Sequence, residues 1–307
     1  MEYLFGKRLQ NTSRLSKEQY TIGIICAHDK EMLASQCLLD ENHGEINGPH
    51  PNYPKLYTLG RLSEHNVVLC NIPIDRGAHF AVTAFKHMLA TFRNLKCNVL
   101  LGTGAGVPSQ KNDIRLGDVV IGVPVTKYGE IVQHQASNVV ESEGYELTGS
   151  PIFPPGFMLS ALLAVGSTHE AMGSRIPEFL DDMIERYPEM KAQGYGYNQT
   201  RLDLGGRKIP RYIRPNAAPI VHQGLIASGR QVLIKDGQTI DYWGDEQSVL
   251  CFEEEGAYFM SGFPSIVIRG ISKYCDSQED TDWEEYAAAV AAGFAKELLT
   301  AVMSLKF

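Results

Sequence analysis

Three groups of residues in this 307-residue chain have the types and spacing to do chemistry. Glu31 follows the apolar, β-branched run Tyr20 to Ala27 (YTIGIICA), which turns polar at His28 and passes into the helix-like EMLASQCLLDE. A carboxylate at such a strand-to-helix turn can serve a ligand at the strand end; taken alone it fits equally a solvated first-turn glutamate favoured by the helix dipole. Glu253-Glu254-Glu255 comes after Phe252 and before Gly256-Ala257. An acidic run usually starts an exposed helix, but apolar neighbours on both sides suit a site better than a fully exposed face. Residues 98–102 (NVLLG) open into Thr103-Gly104-Ala105-Gly106, and a buried strand ending in glycines reads as a ligand-facing turn. Its amides, with Arg76 in PIDRGAH, would make an anion site; the plain alternative is a tight turn and a surface arginine.

The composition limits what these groups can serve. The chain is 44% hydrophobic and 21% charged, and a chain of this length removes about 75% of its unfolded surface from water, so a core with a cleft in it needs no covalent staples. Lys and Arg number 28 against 36 Asp and Glu, a formal charge of -8, with no basic run to track a phosphate backbone, so nucleic acid is not an expected partner. The six cysteines are scattered without a C-x-x-C pair and read as reduced core residues of a cytoplasmic protein. The polar segment 1–19 has neither a signal-peptide core nor a transit-peptide pattern, and no stretch approaches the roughly 20 apolar residues that span a bilayer. No membrane partner is expected. Asp181-Asp182-Met183-Ile184-Glu185 has the D-D-x-x-E spacing that can hold magnesium and a diphosphate on one helix face. Such patterns are also common on solvated helices, nothing else here resembles a terpene synthase, and the chain is read as holding no metal and no cofactor.

Hydrophobic periodicity supplies the elements that must position these residues. After the first strand and helix, the Gly-, Asn- and Pro-rich stretch 42–54 reads as a connector. Lys55 to Leu59 and Asn66 to Ile72 read as a hairpin with a loop longer than a tight turn, and Ala78 to Phe92 as an amphipathic helix. Gly117-Asp118 leads into the strand VVIGVPV. Alternation weakens over 141–214, which reads as an insertion with helices near Phe157 to Leu163 and Ile176 to Tyr187. It resumes with a strand at Ile220 to Ser228, a helix near Glu246 to Met260, a strand at Ser265 to Ile271 and a long helix at Asp282 to Met303. With no internal repeat, one α/β domain (1–307), carrying an amino-terminal arm (1–19) and the embedded insertion, is the expected organisation.

Six segments in order, IGIICAHDKEM, LLGTGAGVP, IRLGDVVIG, HQGLIASGRQVL, CFEEEGAYFM and VIRGISKYCDS, together resemble the nucleoside phosphorylase and nucleosidase superfamily, of the type that includes methylthioadenosine nucleosidase and uridine phosphorylase, and especially the phosphorylase-like domains of fungal proteins. The resemblance implies a three-layer α/β/α domain around a mixed, partly barrel-like sheet, usually in homo-oligomers. It implies attack by water or phosphate on a ribose anomeric carbon as the bond to a base nitrogen breaks. By the same resemblance Glu31 matches the carboxylate that helps activate water. Glu255 matches the one that holds the ribose hydroxyls, and Glu253 the one before it near ribose and nucleophile. Val232 and Leu233 occupy the stretch that flanks the base, or else plain core.

Two positions depart from the family pattern. Where the family has a catalytic aspartate after serine or cysteine, this chain has Ser272-Lys273, and Asp276, though a frequent family residue, stands elsewhere on the turn. Loss of a positioned general acid typically costs 10²- to 10⁴-fold, so the reaction needs a variant mechanism in which lysine donates a proton or holds an anion. Glu254 stands where methionine is usual against the sugar, and its charge needs a partner. Lys273 is the expected one. HDKEM offers no phosphate-binding arginine, which favours hydrolysis over phosphorolysis, phosphate remaining an optional second substrate. The expected function is N-ribosyl cleavage of a purine-type nucleoside. The rivals are a cofactor-free cyclase or cycloaddition enzyme of secondary metabolism, acting through Lys273 on an apolar carbonyl or carboxylate compound, and a non-catalytic nucleoside sensor. The sensor is disfavoured by a chain that ends directly after its last helix.

Overall fold

The β-branched run near the amino terminus forms strand β1 (Ile22–Cys26), buried along its whole length. It is continuous in apolar character because it has parallel neighbours on both sides, β4 (His65–Asn71) and β5 (Cys97–Gly106). The computed structural model describes residues 15–47, 56–72, 78–123, 131–134, 147–148, 154–198, 214, 216–228, 241–254, 263–275 and 281–302. Helix α1 (Asp29–Cys37) follows β1 after a two-residue turn. Beyond β4 the sheet continues antiparallel through β3 (Leu56–Leu62) to an edge strand, β2 (Glu41–Asn47). Helix α2 (Ala78–Thr91) connects β4 to β5.

On its other side β5 enters a closed ring. It pairs in parallel with β11 (Ser265–Tyr274), which pairs antiparallel with β6 (Val119–Gly122). Strand β6 runs parallel to β9 (Val221–Ser228), β9 parallel to β10 (Val249–Glu253), and β10 returns antiparallel to β5. Two short strands, β7 (Ile131–His134) and β8 (Leu147–Thr148), extend from β9. The sheet is therefore mixed and partly a barrel, as the family resemblance implies.

Helix α6 (Glu284–Ala301) covers one face and is buried on all sides from Tyr286 to Leu299. Its alanines let it approach closely: a Cβ on Gly270 of β11 would fall 2.0 Å from the Ala287 carbonyl oxygen, so only glycine fits there. A Cβ on Gly23 would instead point to Met88 of α2, which lies on the opposite face. Helices α3 (Gly156–Met172) and α4 (Ile176–Arg186) pack outside α6, followed by the short α5 (Glu189–Ala192). The helices expected within 141–214 are thus present. The result is a three-layer α/β/α domain.

A buried carboxylate fixes the entry to β6. Asp118 accepts hydrogen bonds from Arg214 Nη1 and Nη2 (both 2.7 Å), His222 Nε2 (3.0 Å) and the backbone N–H groups of Arg115 (2.8 Å) and Ile220 (3.0 Å). Burial alone would raise its pKa, but the His222 and Arg214 hydrogen bonds and charges outweigh that and hold it below the usual aspartate value.

Four sequence expectations need correction. Part of the 42–54 connector is strand: β2 pairs with β3 through residues 41–47. The hairpin loop is a tight two-residue turn, since Leu62 pairs with His65, and Ser63 takes the left-handed backbone (φ 52°) that this demands. The helix expected near Glu246 to Met260 does not begin there: a single wide helical turn at Tyr242–Glu246 gives way to strand β10, because the apolar run VLCF pairs with both β9 and β5, and residues 255–260 lie outside the described residues. Gly104, Ala105 and Gly106 form no turn either; they continue β5, paired along one edge with β11 and at Ala105 and Gly106 along the other with β10.

Candidate active site

Strands β1, β5 and β11 run parallel and end on the same side of the sheet, where open α/β sheets place their ligands. Glu31 is brought there by the first turn of α1. It is buried, and its carboxylate is held by three backbone N–H donors: Ala27 (2.9 Å) and His28 (3.1 Å) to Oε2, and Thr103 (2.9 Å) to Oε1. The solvated first-turn glutamate is thereby set aside, although the capping role is real: Glu31 closes the first turn of α1 onto His28 and ties it to β5.

Glu253, last in β10, is also buried, and its Oε2 lies 2.5 Å from Arg269 Nη2. Arg269 comes from β11, opposite Gly102 of β5. Its side chain lies across that glycine, so a Cβ on Gly102 would stand 1.8 Å from Arg269 Nη1 and 2.9 Å from Glu31 Oε1. One guanidinium and two carboxylates thus converge above a glycine whose missing side chain makes the room. Gly102→Ala is expected to force the guanidinium aside and cost about 1–3 kcal/mol, as overpacking does. Its urea midpoint checks this, and a midpoint equal to the parent's would show that Arg269 is not confined there.

The remaining expected residues are more scattered. Phe252 is buried in a small cluster with Ala105, Val107 and Leu225, its ring edge-on to Trp243 (centroids 5.7 Å apart), so it packs the wall. Gly104 and Gly106 line the same face of β5 as Gly102; the run is strand, so no turn presents its amides as an anion nest. Lys273 is half-buried beside Ala105. The expected Lys273–Glu254 ion pair is not made: Glu254 is exposed, and neither residue has an ion-pair partner among the described residues. Two charges that solvent or a ligand can reach need no burial partner. Glu255, Val232, Leu233, Arg76 and Asp276 lie outside the described residues.

Arg269 was not singled out in the sequence, although it stands within the quoted segment VIRGISKYCDS. The usable signal is a cation inside a run of strand-forming apolar residues, which must be paired if that run is buried. The D-D-x-x-E carboxylates, Asp181, Asp182 and Glu185, lie on the solvent face of α4, opposite its buried residues Phe179, Leu180 and Met183. Among the described residues no three His, Cys, Asp or Glu side chains are grouped to hold a metal ion. All six cysteines are buried and outside any disulfide, and burial pushes the thiols of Cys26 and Cys251 well above the ordinary value, so neither is a ready nucleophile. No helix among the described residues is long and apolar enough to cross a membrane.

No protein-family model matches the chain. It is 35% identical over 296 residues to a nucleotide-binding leucine-rich repeat (NLR)-like protein of Hyaloscypha variabilis, a match that takes in 93% of this chain but 30% of that protein. The chain thus spans under a third of the length of the curated relative it matches. Among solved structures it is similar to the 5'-methylthioadenosine/S-adenosylhomocysteine nucleosidase of Helicobacter pylori (TM-score 0.58, 16% identity, 92% of this chain and 98% of that one). It is similar to the same organism's futalosine hydrolase (0.58, 16%, 92% and 99%). The 5'-methylthioadenosine/S-adenosylhomocysteine nucleosidase of Neisseria meningitidis, in complex with methylthio-immucillin-A, gives 0.58, 17%, 91% and 98%. The ring of strands, the open wing beside it and the covering helices are, in this chain, the fold of the nucleoside phosphorylases and nucleosidases.

Proposed function

We propose that the chain cleaves the N-ribosyl bond of a purine-type nucleoside, with water as the nucleophile. The observation that carries this is the convergence of Glu31, Arg269 and Glu253 over Gly102 at the strand ends. As the bond from the anomeric carbon to the base nitrogen breaks, its electron pair leaves with the base. A water oxygen closes on the anomeric carbon and gives a proton to Glu31. Arg269 holds Glu253 in place near the sugar, where the positive charge of the breaking sugar bond favours a carboxylate. Glu255 would hold the ribose hydroxyls. The similar solved proteins are named as nucleosidases and, in one case, a hydrolase, which supports water over phosphate.

The test is release of free base from purine and pyrimidine nucleosides, with and without phosphate. Wild-type protein is expected to release base at a rate independent of phosphate, and Glu31→Gln to be slower by 10²- to 10⁴-fold. Equal rates in the two proteins, or dependence on phosphate, would overturn the hydrolytic role of Glu31.

A second reading has one observation of its own. The Hyaloscypha relative is named NLR-like and is more than three times as long as the matched region, which supports a nucleoside-binding module of a signalling protein. Saturable nucleoside binding by folded protein that releases no base would favour it. The fungal source of that relative also supports kinship with fungal phosphorylase-like domains. Assembly as a homo-oligomer is part of the proposal and is read by light scattering.

A further inference from the structure

We infer that the segment from α4 to Tyr195 is a brace that fixes α1 and so sets where the Glu31 carboxylate stands, with Arg186 and Tyr195 as its positioning residues; this rests on the reading of Glu31 as the group that takes a proton from water. Helix α1 has nine residues, and an isolated helix of that length is not stable in water, so its place is set by what holds it. Its two ends are held by the same two parts of the chain. At the start, Lys30 Nζ lies 2.5 Å from Glu284 Oε2 and 2.8 Å from Glu285 Oε1 in the first turn of α6, and the buried Tyr195 hydroxyl donates to the Lys30 carbonyl oxygen at 3.4 Å. At the finish, Lys296 of α6 donates to the Leu38 carbonyl oxygen (3.0 Å) and to Asp40 Oδ1 (2.6 Å). Arg186 Nη1, at the end of α4, donates to the Leu39 carbonyl oxygen (2.9 Å). Carbonyls at a helix end lack intrahelical donors, so these two cations supply what the helix cannot.

The brace is itself anchored. Ile176 and Leu180 of α4 seat on Gly293 of α6, where a Cβ would stand 3.3 Å from Ile176 Cγ2 and 2.9 Å from Leu180 Cδ1. Tyr195 is aimed by the end of α5: Gly194 takes the left-handed backbone (φ 96°), and the Tyr195 N–H returns to the Met190 carbonyl oxygen (3.0 Å), closing a glycine-capped helix end. The run KAQGY carries both the glycine and the tyrosine that this needs. Glu31 is the residue after Lys30, and its carboxylate accepts from the N–H groups of Ala27, His28 and Thr103, so a shift of α1 moves that carboxylate against β5. The Lys30 and Glu284 side chains are 40% and 41% exposed, so their ion pair adds little to stability. Position is another matter, since misplacing a reacting group by about 1 Å costs on the order of 10²-fold in rate.

The experiment reads position and rate separately in the full chain. Amide hydrogen exchange follows the N–H groups of Ala27, His28 and Thr103, with the amides of β11 as reference, and release of free base from adenosine and inosine gives kcat and KM. In Arg186→Met/Tyr195→Phe, exchange at the three amides is expected to rise by about 10-fold or more against an unchanged β11, and kcat to fall by about 10- to 10²-fold with KM within about 2-fold of the parent's. Returning a donor to the Leu39 carbonyl, in Arg186→Lys/Tyr195→Phe, is expected to recover part of both losses. Unchanged exchange at the three amides overturns the brace, whether or not the protein cleaves a nucleoside. An equal rise across β11 also overturns it, because that marks general loosening. Faster exchange confined to the three amides with an unchanged kcat keeps the brace and overturns Glu31 as the group that takes the proton. The same exchange in protein that releases no base keeps the brace and overturns cleavage.

Discussion

Replacing Arg269 with methionine is expected to destabilise the protein by about 3–5 kcal/mol, because it takes the counter-charge from a buried carboxylate. The side chains of Arg269 and Glu253 are 2% and 0% exposed and meet at 2.5 Å. Neither charge has water to fall back on, so removing one leaves the desolvation of the other without its main counter-charge. Glu253→Gln, which strands the cation, is expected to cost a similar amount. The double variant R269M/E253Q removes both charges and should be more stable than the sum of the two losses predicts, with a coupling of about 0.5–3 kcal/mol. All three should fail to release base, since recovering stability does not recover the site. Urea unfolding of the four proteins measures the cycle. Losses below about 1 kcal/mol that simply add would mean that the pair relaxes into solvent and does not organise the strand ends.

Arg269 also marks where the sequence stopped being legible. Strands β1, β5 and β11 and helices α1, α2 and α6 were expected because long apolar runs and helical spacing signal them directly. The acidic run beyond Phe252 looked like the start of a helix, but VLCF before it, rich in strand formers, carries strand β10 through Glu253, and strand pairing on two sides overrides local propensity there. Edge strand β2 was invisible since its residues, ENHGEIN, are polar and its hydrophobic alternation is absent. Glycines 102, 104 and 106 suggested a turn because glycine is the commonest turn signal; here their lack of a side chain opens the face over which Arg269 lies. Of the site, Glu31 and Glu253 were identified through family resemblance, and burial then set them apart from solvated carboxylates. Lys273 was visible as a departure, but the register slip that turns it to the Ala105 face is a property of pairing and leaves no local trace.

Asp118→Ala is likewise expected to cost about 3–5 kcal/mol, by removing the buried carboxylate on which Arg214 and His222, 96 and 104 residues away in sequence, converge, Arg214 keeping only its contacts to Asp113. The pH dependence gives a second reading of the same cluster. The folded pKa of Asp118 lies below its unfolded value near 3.9, so its contribution to stability is complete above that value and is lost as pH falls through the folded one. Wild-type urea midpoints are therefore expected to drop below about pH 4, and Asp118→Asn, which cannot ionise, to start lower and show a shallower acid fall. The Asp118 carbonyl accepts from Ile271 N–H and the Gly117 N–H donates to the Ile271 carbonyl, both at 2.8 Å, immediately before the slip that places Lys273. Asp118→Asn keeps these backbone bonds, so it is expected to lower stability while leaving the pairing of β11 with the entry to β6 in place. An acid slope in D118N as steep as the parent's would show that Asp118 is not the group whose protonation loosens the fold.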